Sequence, residues 1–78
     1  MNNNIGKFVK MCGIIVKLKK YNDIEIIYFK DKCGVFKTVV FPTYFQFFKN
    51  IESGKNYCVC GEISTYKGSL ELQIKYLC

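Results

Sequence analysis

Hydrophobic and polar residues alternate along most of this chain, and the alternation breaks at only a few points. From Phe8 to Tyr21 the residues Val9, Met11, Ile14, Val16 and Leu18 are apolar while Lys10, Lys17 and Lys19 are polar, which predicts one long strand. The period slips near Gly13, and a glycine inside a strand marks a bulge or sharp bend. Asn22 and Asp23 supply turn chemistry. Ile24–Lys30 is rich in β-branched and aromatic residues, and the short connection Asp31–Gly34 predicts a hairpin into a third strand, Val35–Phe41. Pro42 ends that strand, and Phe45, Phe48 and Ile51 recur near helical spacing, which predicts one short helix over Thr43–Ile51. Ser53 and Gly54 close it. Tyr57–Thr65 and Leu70–Leu77 alternate again on either side of Tyr66–Ser69, a second hairpin.

The element order is therefore βββαββ. With a glycine-bent first strand and one helix between the third and fourth strands, this is the layout of an all-β, five-stranded OB-fold barrel. A barrel also removes the edge-strand liability that an open sheet of this hydrophobicity carries. At 78 residues the chain accommodates a single domain, expected over 1–78, with residues 1–6 as a flexible N-terminal segment.

Half the residues are hydrophobic, ample for a folded interior despite a formal charge of +6. All twelve cations are lysine, in a composition biased throughout towards Lys, Asn, Ile, Tyr and Phe, so charge alone does not identify an anionic partner. Position has to decide. Lys10, Lys17, Lys19 and Lys20 interrupt the longest apolar run, which rules out a transmembrane helix, and the polar N-terminus lacks a secretory h-region, so a cytoplasmic location is expected. In a reducing cytosol the five cysteines are expected as thiols, with Cys58 and Cys60 as small hydrophobes on one face of a strand. Without histidine or a C-x-x-C pair, neither a metal site nor a cofactor is expected.

Several segments resemble the OB modules of the tRNA-anticodon type, in particular the module near the carboxy terminus of the bacterial DNA polymerase III alpha subunit. They are the mid-strand glycine in Cys12-Gly13-Ile14-Ile15-Val16, the Asp-x-x-Gly hairpin at Asp31–Gly34, Val-Val-Phe-Pro at Val39–Pro42, the aromatic-rich helix, and Val59-Cys60-Gly61-Glu62-Ile63. Lys30 stands where those modules usually carry an acidic residue. The resemblance implies a nucleic-acid-handling module of the kind appended to a polymerase, nuclease or synthetase.

Catalysis is not expected. Covalent chemistry at cysteine needs a neighbouring base, and the six carboxylates are scattered without the paired spacing of a general acid and base. Holding a single strand requires lysines for the phosphates beside aromatic faces for the bases, and this chain has both. OB-folds bind across strands two and three and the flanking loops. Those places hold Tyr21, Asn22, Tyr28, Lys30, Lys37, Tyr66 and Lys67, and the adjoining cluster adds Lys17 and Lys19, two residues apart on one side of a strand.

Lysine is too costly to bury unpaired, so Lys37 is assigned outward and Phe36, Thr38 and Val40 inward. On the second strand both Glu25/Ile27/Phe29 and Ile26/Tyr28/Lys30 are mixed faces; the second set facing outward gives the strand-end lysine its solvent. Tyr28 then serves either as barrel wall or as stacking platform, and Tyr66, in a tight hairpin with little core to enter, is the better stacking candidate. The helix aromatics Tyr44, Phe45, Phe47 and Phe48 exceed one buried stripe, so they plug the barrel or meet a partner. Two functions follow: binding of single-stranded nucleic acid, DNA before RNA, or a protein-interaction OB module in a replication, plasmid or phage assembly, with a homodimer compatible with either.

Overall fold

The computed structural model describes residues 5–78, apart from the side chain of Tyr66. Five strands, β1 Phe8–Lys20, β2 Glu25–Asp31, β3 Gly34–Val40, β4 Asn56–Tyr66 and β5 Ser69–Leu77, close into a barrel in the order β1-β2-β3-β5-β4. Neighbours pair antiparallel except β3 and β5, whose short parallel contact, Thr38 with Leu72 and Val39 with Gln73, completes the ring.

The long first strand serves both halves. Phe8–Ile14 pairs with β4 and Ile14–Lys20 with β2, so the partner changes at Ile14. The bulge lies between Ile15 and Lys17, where Val16 has no partner on β2, a few residues beyond the expected slip at Gly13. Gly13 has a different role: a Cβ there would lie 2.9 Å from the carbonyl oxygen of Lys30, so its lack of a side chain lets β1 cross close to β2.

Ile15, Ile27, Phe29, Val40, Phe48, Val59, Leu72 and Ile74 form the buried core. Thr38 is fully buried but satisfied, its Oγ1 donating to the Ile27 carbonyl at 2.8 Å. The expected helix over Thr43–Ile51 is instead a 3₁₀ helix, Pro42–Phe48. Phe41 brings no capping side chain, and the bond from Tyr44 N to Phe41 O, at 2.9 Å, has the i to i+3 spacing of the tighter helix. Phe48 is buried and Tyr44 and Phe45 pack against the core, so the helix plugs one end of the barrel. Among the described residues no helix is long and apolar enough to cross a membrane.

Two further expectations need correction. Phe36 shares the inward face of Thr38 and Val40, yet it is 38% exposed. β5 meets β3 only at Thr38 and Val39, so Phe36 lies at an uncovered mouth, a cavity of about 460 Å³ lined in part by Val9, Met11, Ile63, Leu70 and Leu72. Four of the cysteines are disulfides rather than thiols, Cys12 with Cys58 and Cys60 with Cys78, while Cys33 is a free, exposed thiol. Cys12 and Cys58 stand directly opposite each other in the β1–β4 register, and a bond from Cys78 N to Cys58 O holds the chain's end against β4. Their separations of 46 and 18 residues correspond to about 4 and 3 kcal/mol in the chain-entropy account. Of the N-terminal segment, residues 1–4 lie outside the described residues, whereas Gly6 donates its N–H to the Ile63 carbonyl at 2.8 Å and is tied to β4.

Gly61 sits at a second register shift, between Cys60 and Gly61 in the β4–β5 ladder. A Cβ there would overlap the Gln73 carbonyl oxygen and come 2.7 Å from the Ile74 Cα, both backbone atoms that cannot rotate away. Gly61→Ala should therefore lower the unfolding free energy by about 3 kcal/mol, read as a lower urea midpoint. An unchanged midpoint would mean that β5 is free to shift.

Candidate nucleic-acid interface

In an antiparallel ladder, residues directly opposite each other project to the same side. The β1–β2 and β2–β3 registers combine into three rows on one side of the sheet, Lys19–Ile26–Val39, Lys17–Tyr28–Lys37 and Ile14–Lys30–Val35, with Val39 itself covered at 1% exposed. Five of the residues singled out in the sequence, Lys17, Lys19, Tyr28, Lys30 and Lys37, thus lie together. Glu25, Ile27 and Phe29 are buried and Lys30 is exposed, which gives β2 the orientation expected of it.

The unpaired Val16 sets the phase of this face. Ile15 pairs with Phe29 towards the interior, and without the insertion Val16 would stand opposite Tyr28 with Leu18 outward behind it. With it, Lys17 takes the place beside Tyr28, and Leu18 turns in opposite Ile27 to pack on the core. Tyr28 is half-buried, so the flanking strands fix its ring position while part of it stays accessible.

Lys37 is held differently from its neighbours. Its Nζ lies 3.9 Å from the Glu71 carboxylate, and the Glu71 side chain is only 7% exposed. Glu71 was not recognised from the sequence, because the parallel contact that sets β5 beside β3 joins strands far apart in the chain and leaves no local pattern. The ion pair orients Lys37 and offsets part of its charge, so Lys17, Lys19 and Lys30 carry more of the positive field of the face.

The loop residues divide between the two ends. Glu25 pairs with Val40, so the β1–β2 turn lies at the level of the end of β3, near the 3₁₀ helix. Tyr21 is 52% exposed there, its N–H closing the turn on the Ile24 carbonyl at 2.9 Å. The parallel pairing puts the β4–β5 hairpin at the level of the start of β3, so Lys67 stands at the far end. Tyr66 pairs with Ser69 through its backbone; the proposed stacking role of its side chain lies outside the described residues. The face across the three strands is continuous, and the two loops bracket it.

Not every lysine joins this face. Lys10 pairs with Cys60, beside exposed Phe8 and Tyr76, whose ring centroids are 5.9 Å apart, and it also borders the cavity at Phe36 that Lys37 lines.

A closed five-stranded barrel with one helix between β3 and β4 and a lysine-rich face across β1–β3 defines a small OB-type binding module. The family model for the tRNA-anticodon OB-fold nucleic acid binding domain matches residues 9–77, and the chain belongs to that family. The match is to the family as a whole and does not single out the DNA polymerase III alpha module. Comparison with curated protein sequences gives no match. Among solved structures, an OBody bound to hen egg-white lysozyme superposes with a TM-score of 0.84 at 16% identity, over 97% of this chain and 80% of that one. Asparaginyl-tRNA synthetase from Pyrococcus horikoshii, complexed with asparaginyl-adenylate, gives 0.81 at 18% identity, over 95% of this chain but only 19% of that one. The S. pombe Stn1-Ten1 complex gives 0.78 at 19% identity, over 90% and 55%. At these identities the likeness is one of fold.

Lys67 and Gly68, at φ of +51° and +81°, make the two-residue turn that suits a twisted hairpin. Asparagine tolerates this backbone and a β-branched residue does not. Lys67→Asn should keep or slightly raise the melting temperature while removing the charge, and Lys67→Val should destabilise by about 1–2 kcal/mol. Thermal unfolding of the two variants checks both, and equal effects would contradict the turn assignment.

Proposed function

We propose that the β1–β2–β3 face binds single-stranded nucleic acid, DNA in preference to RNA, without catalysing a reaction on it. The observation that carries this reading is the Lys17–Tyr28–Lys37 row, an aromatic ring flanked on both sides by ammonium groups. A strand laid across it would stack one base on Tyr28 while its phosphates meet Lys17, Lys19 and Lys30, with Lys37 held in place by Glu71. Stacking of this kind contributes about 1–3 kcal/mol per base and tolerates any sequence, because every base has a π-face. Tyr21, Tyr66 and Lys67 extend the path at its two ends. Membership of a nucleic-acid-binding OB family supports the ligand class. The preference for DNA is carried by the sequence resemblance alone, which the family match does not single out.

A second reading has its own observation. Phe8 and Tyr76, 52% and 43% exposed, form an aromatic patch on the opposite surface that a protein partner or a second copy would cover. Sedimentation that depends on protein concentration, without any response to oligonucleotide, would favour it.

Fluorescence anisotropy of a labelled dT oligonucleotide tests the first reading. With three phosphates neutralised, the slope of log affinity against log salt should be near −2, on the order of −0.7 per phosphate. Lys17→Ala and Lys30→Ala should each flatten it by about 0.7, and Tyr28→Ala should weaken binding by about 1–3 kcal/mol with the slope unchanged. Lys10→Ala, outside the three rows, should cost less than Lys17→Ala. Absence of binding at low salt, or equal losses in Lys10→Ala and Lys17→Ala, would contradict this interface.

A further inference from the structure

At the plugged end of the barrel a second cavity, of about 160 Å³, opens between the β1–β2 turn and the 3₁₀ helix. Tyr21, Phe45 and Phe48 form aromatic walls, and Lys20 and Lys49 stand at its exposed margin. Glu25 also lines it. This residue is only 5% exposed, and its buried Oε2 accepts no hydrogen bond. Burial pushes the Glu25 carboxyl above its ordinary range, and the Lys20 ammonium nearby pulls it only partly back. A buried carboxylate oxygen without a donor is an unmet requirement in a folded protein. Its position beside aromatic walls and below two ammonium groups specifies what would meet it: a flat group bearing N–H donors, joined to an anion.

We propose that this cavity is a base-reading pocket in which Glu25 accepts the paired N–H donors of a guanine in the bound strand. The inference rests on the nucleic-acid reading above and adds sequence preference to it. Guanine alone of the four DNA bases presents two adjacent donors, N1–H and the N2 amino group, which match the two oxygens of a carboxylate once the Glu25 side chain turns its buried Oε2 towards the cavity. Adenine and cytosine set an acceptor nitrogen beside their amino group, and thymine sets its one N–H between two carbonyls; in each case an acceptor faces the carboxylate and is repelled. The volume, equivalent to about five waters, admits one ring system and not a stacked pair. Tyr21 and Phe45 supply stacking surfaces, and Lys20 and Lys49 meet the flanking phosphates. Tyr21 directly follows β1, so the pocket continues the lysine face at its helix end.

The test is a set of labelled dT tracts of about ten nucleotides in which one central position is dT, dG, dA or dC, titrated into the native chain and into Glu25→Gln. The dG tract should bind about tenfold more tightly than the other three, as expected for one bidentate contact to a base. Glu25→Gln should reduce that advantage to near unity, with affinity for the all-dT tract kept or raised because the carboxylate no longer repels the thymine carbonyls. Since Glu25→Gln removes a buried charge that burial disfavours, its melting temperature at neutral pH should match or exceed that of the native chain. Equal binding of all four tracts by the native chain, or a dG advantage that survives in Glu25→Gln, would overturn the pocket while leaving the lysine face intact. Failure of every tract to bind at low salt would overturn the nucleic-acid reading itself and the pocket with it.

Discussion

The outer face of this barrel depends on one residue that the β1–β2 ladder cannot pair. Successive side chains of a strand alternate between faces, so inserting Val16 reverses the phase of everything that follows it in β1. Before the insertion, Ile15 fills the core opposite Phe29; after it, Leu18 fills the core opposite Ile27 while Lys17 and Lys19 turn outward beside Tyr28 and Ile26. A regular strand would have put Val16 and Leu18 on the surface and driven two lysines towards a dry interior, where unpaired charge is not tolerated. The same insertion sharpens the twist where β1 leaves β4 for β2, which is what closure of a small barrel requires.

Closure then determines how the lysines act. The brief β3–β5 contact brings Glu71, nearly buried, to Lys37 and fixes that side chain, while Lys17 and Lys30 stay in solvent. Exposed charges in water contribute little to stability, so Lys17 and Lys30 add to the binding potential without being needed to hold the fold together. Stability comes instead from the aliphatic core, the Phe48 plug and two disulfides, of which Cys12–Cys58 borders the Ile14–Lys30–Val35 row.

Much of this was legible in the sequence because strand period and turn chemistry are local. The order of elements, the outward direction of Tyr28 and Lys30, and the clustering of Lys17, Lys19, Tyr28, Lys30 and Lys37 all follow from alternation and the need of lysine for solvent. What was not legible is non-local. Phe36 reads as core until the shortness of the β3–β5 contact leaves it at an open mouth. Cys12 and Cys58, 46 residues apart, read as separate thiols until the register sets them opposite each other. The Phe45–Phe48–Ile51 spacing is helical, but the segment, opened by Pro42 and capped by no side chain, winds as a 3₁₀ helix. The alternation of Glu25 with Ile27 and Phe29 made that face read as mixed, and the structure buries it with them.

The most direct test of the central claim is to map amide chemical-shift changes while a dT oligonucleotide is titrated into isotope-labelled protein. The largest changes should fall on Lys17, Tyr28, Lys30 and Lys37 and extend to Tyr21, with Phe8 and Tyr76 nearly still. Changes centred on the Phe8–Tyr76 surface, with the three lysine rows unmoved, would contradict the assignment of this face as the nucleic-acid interface.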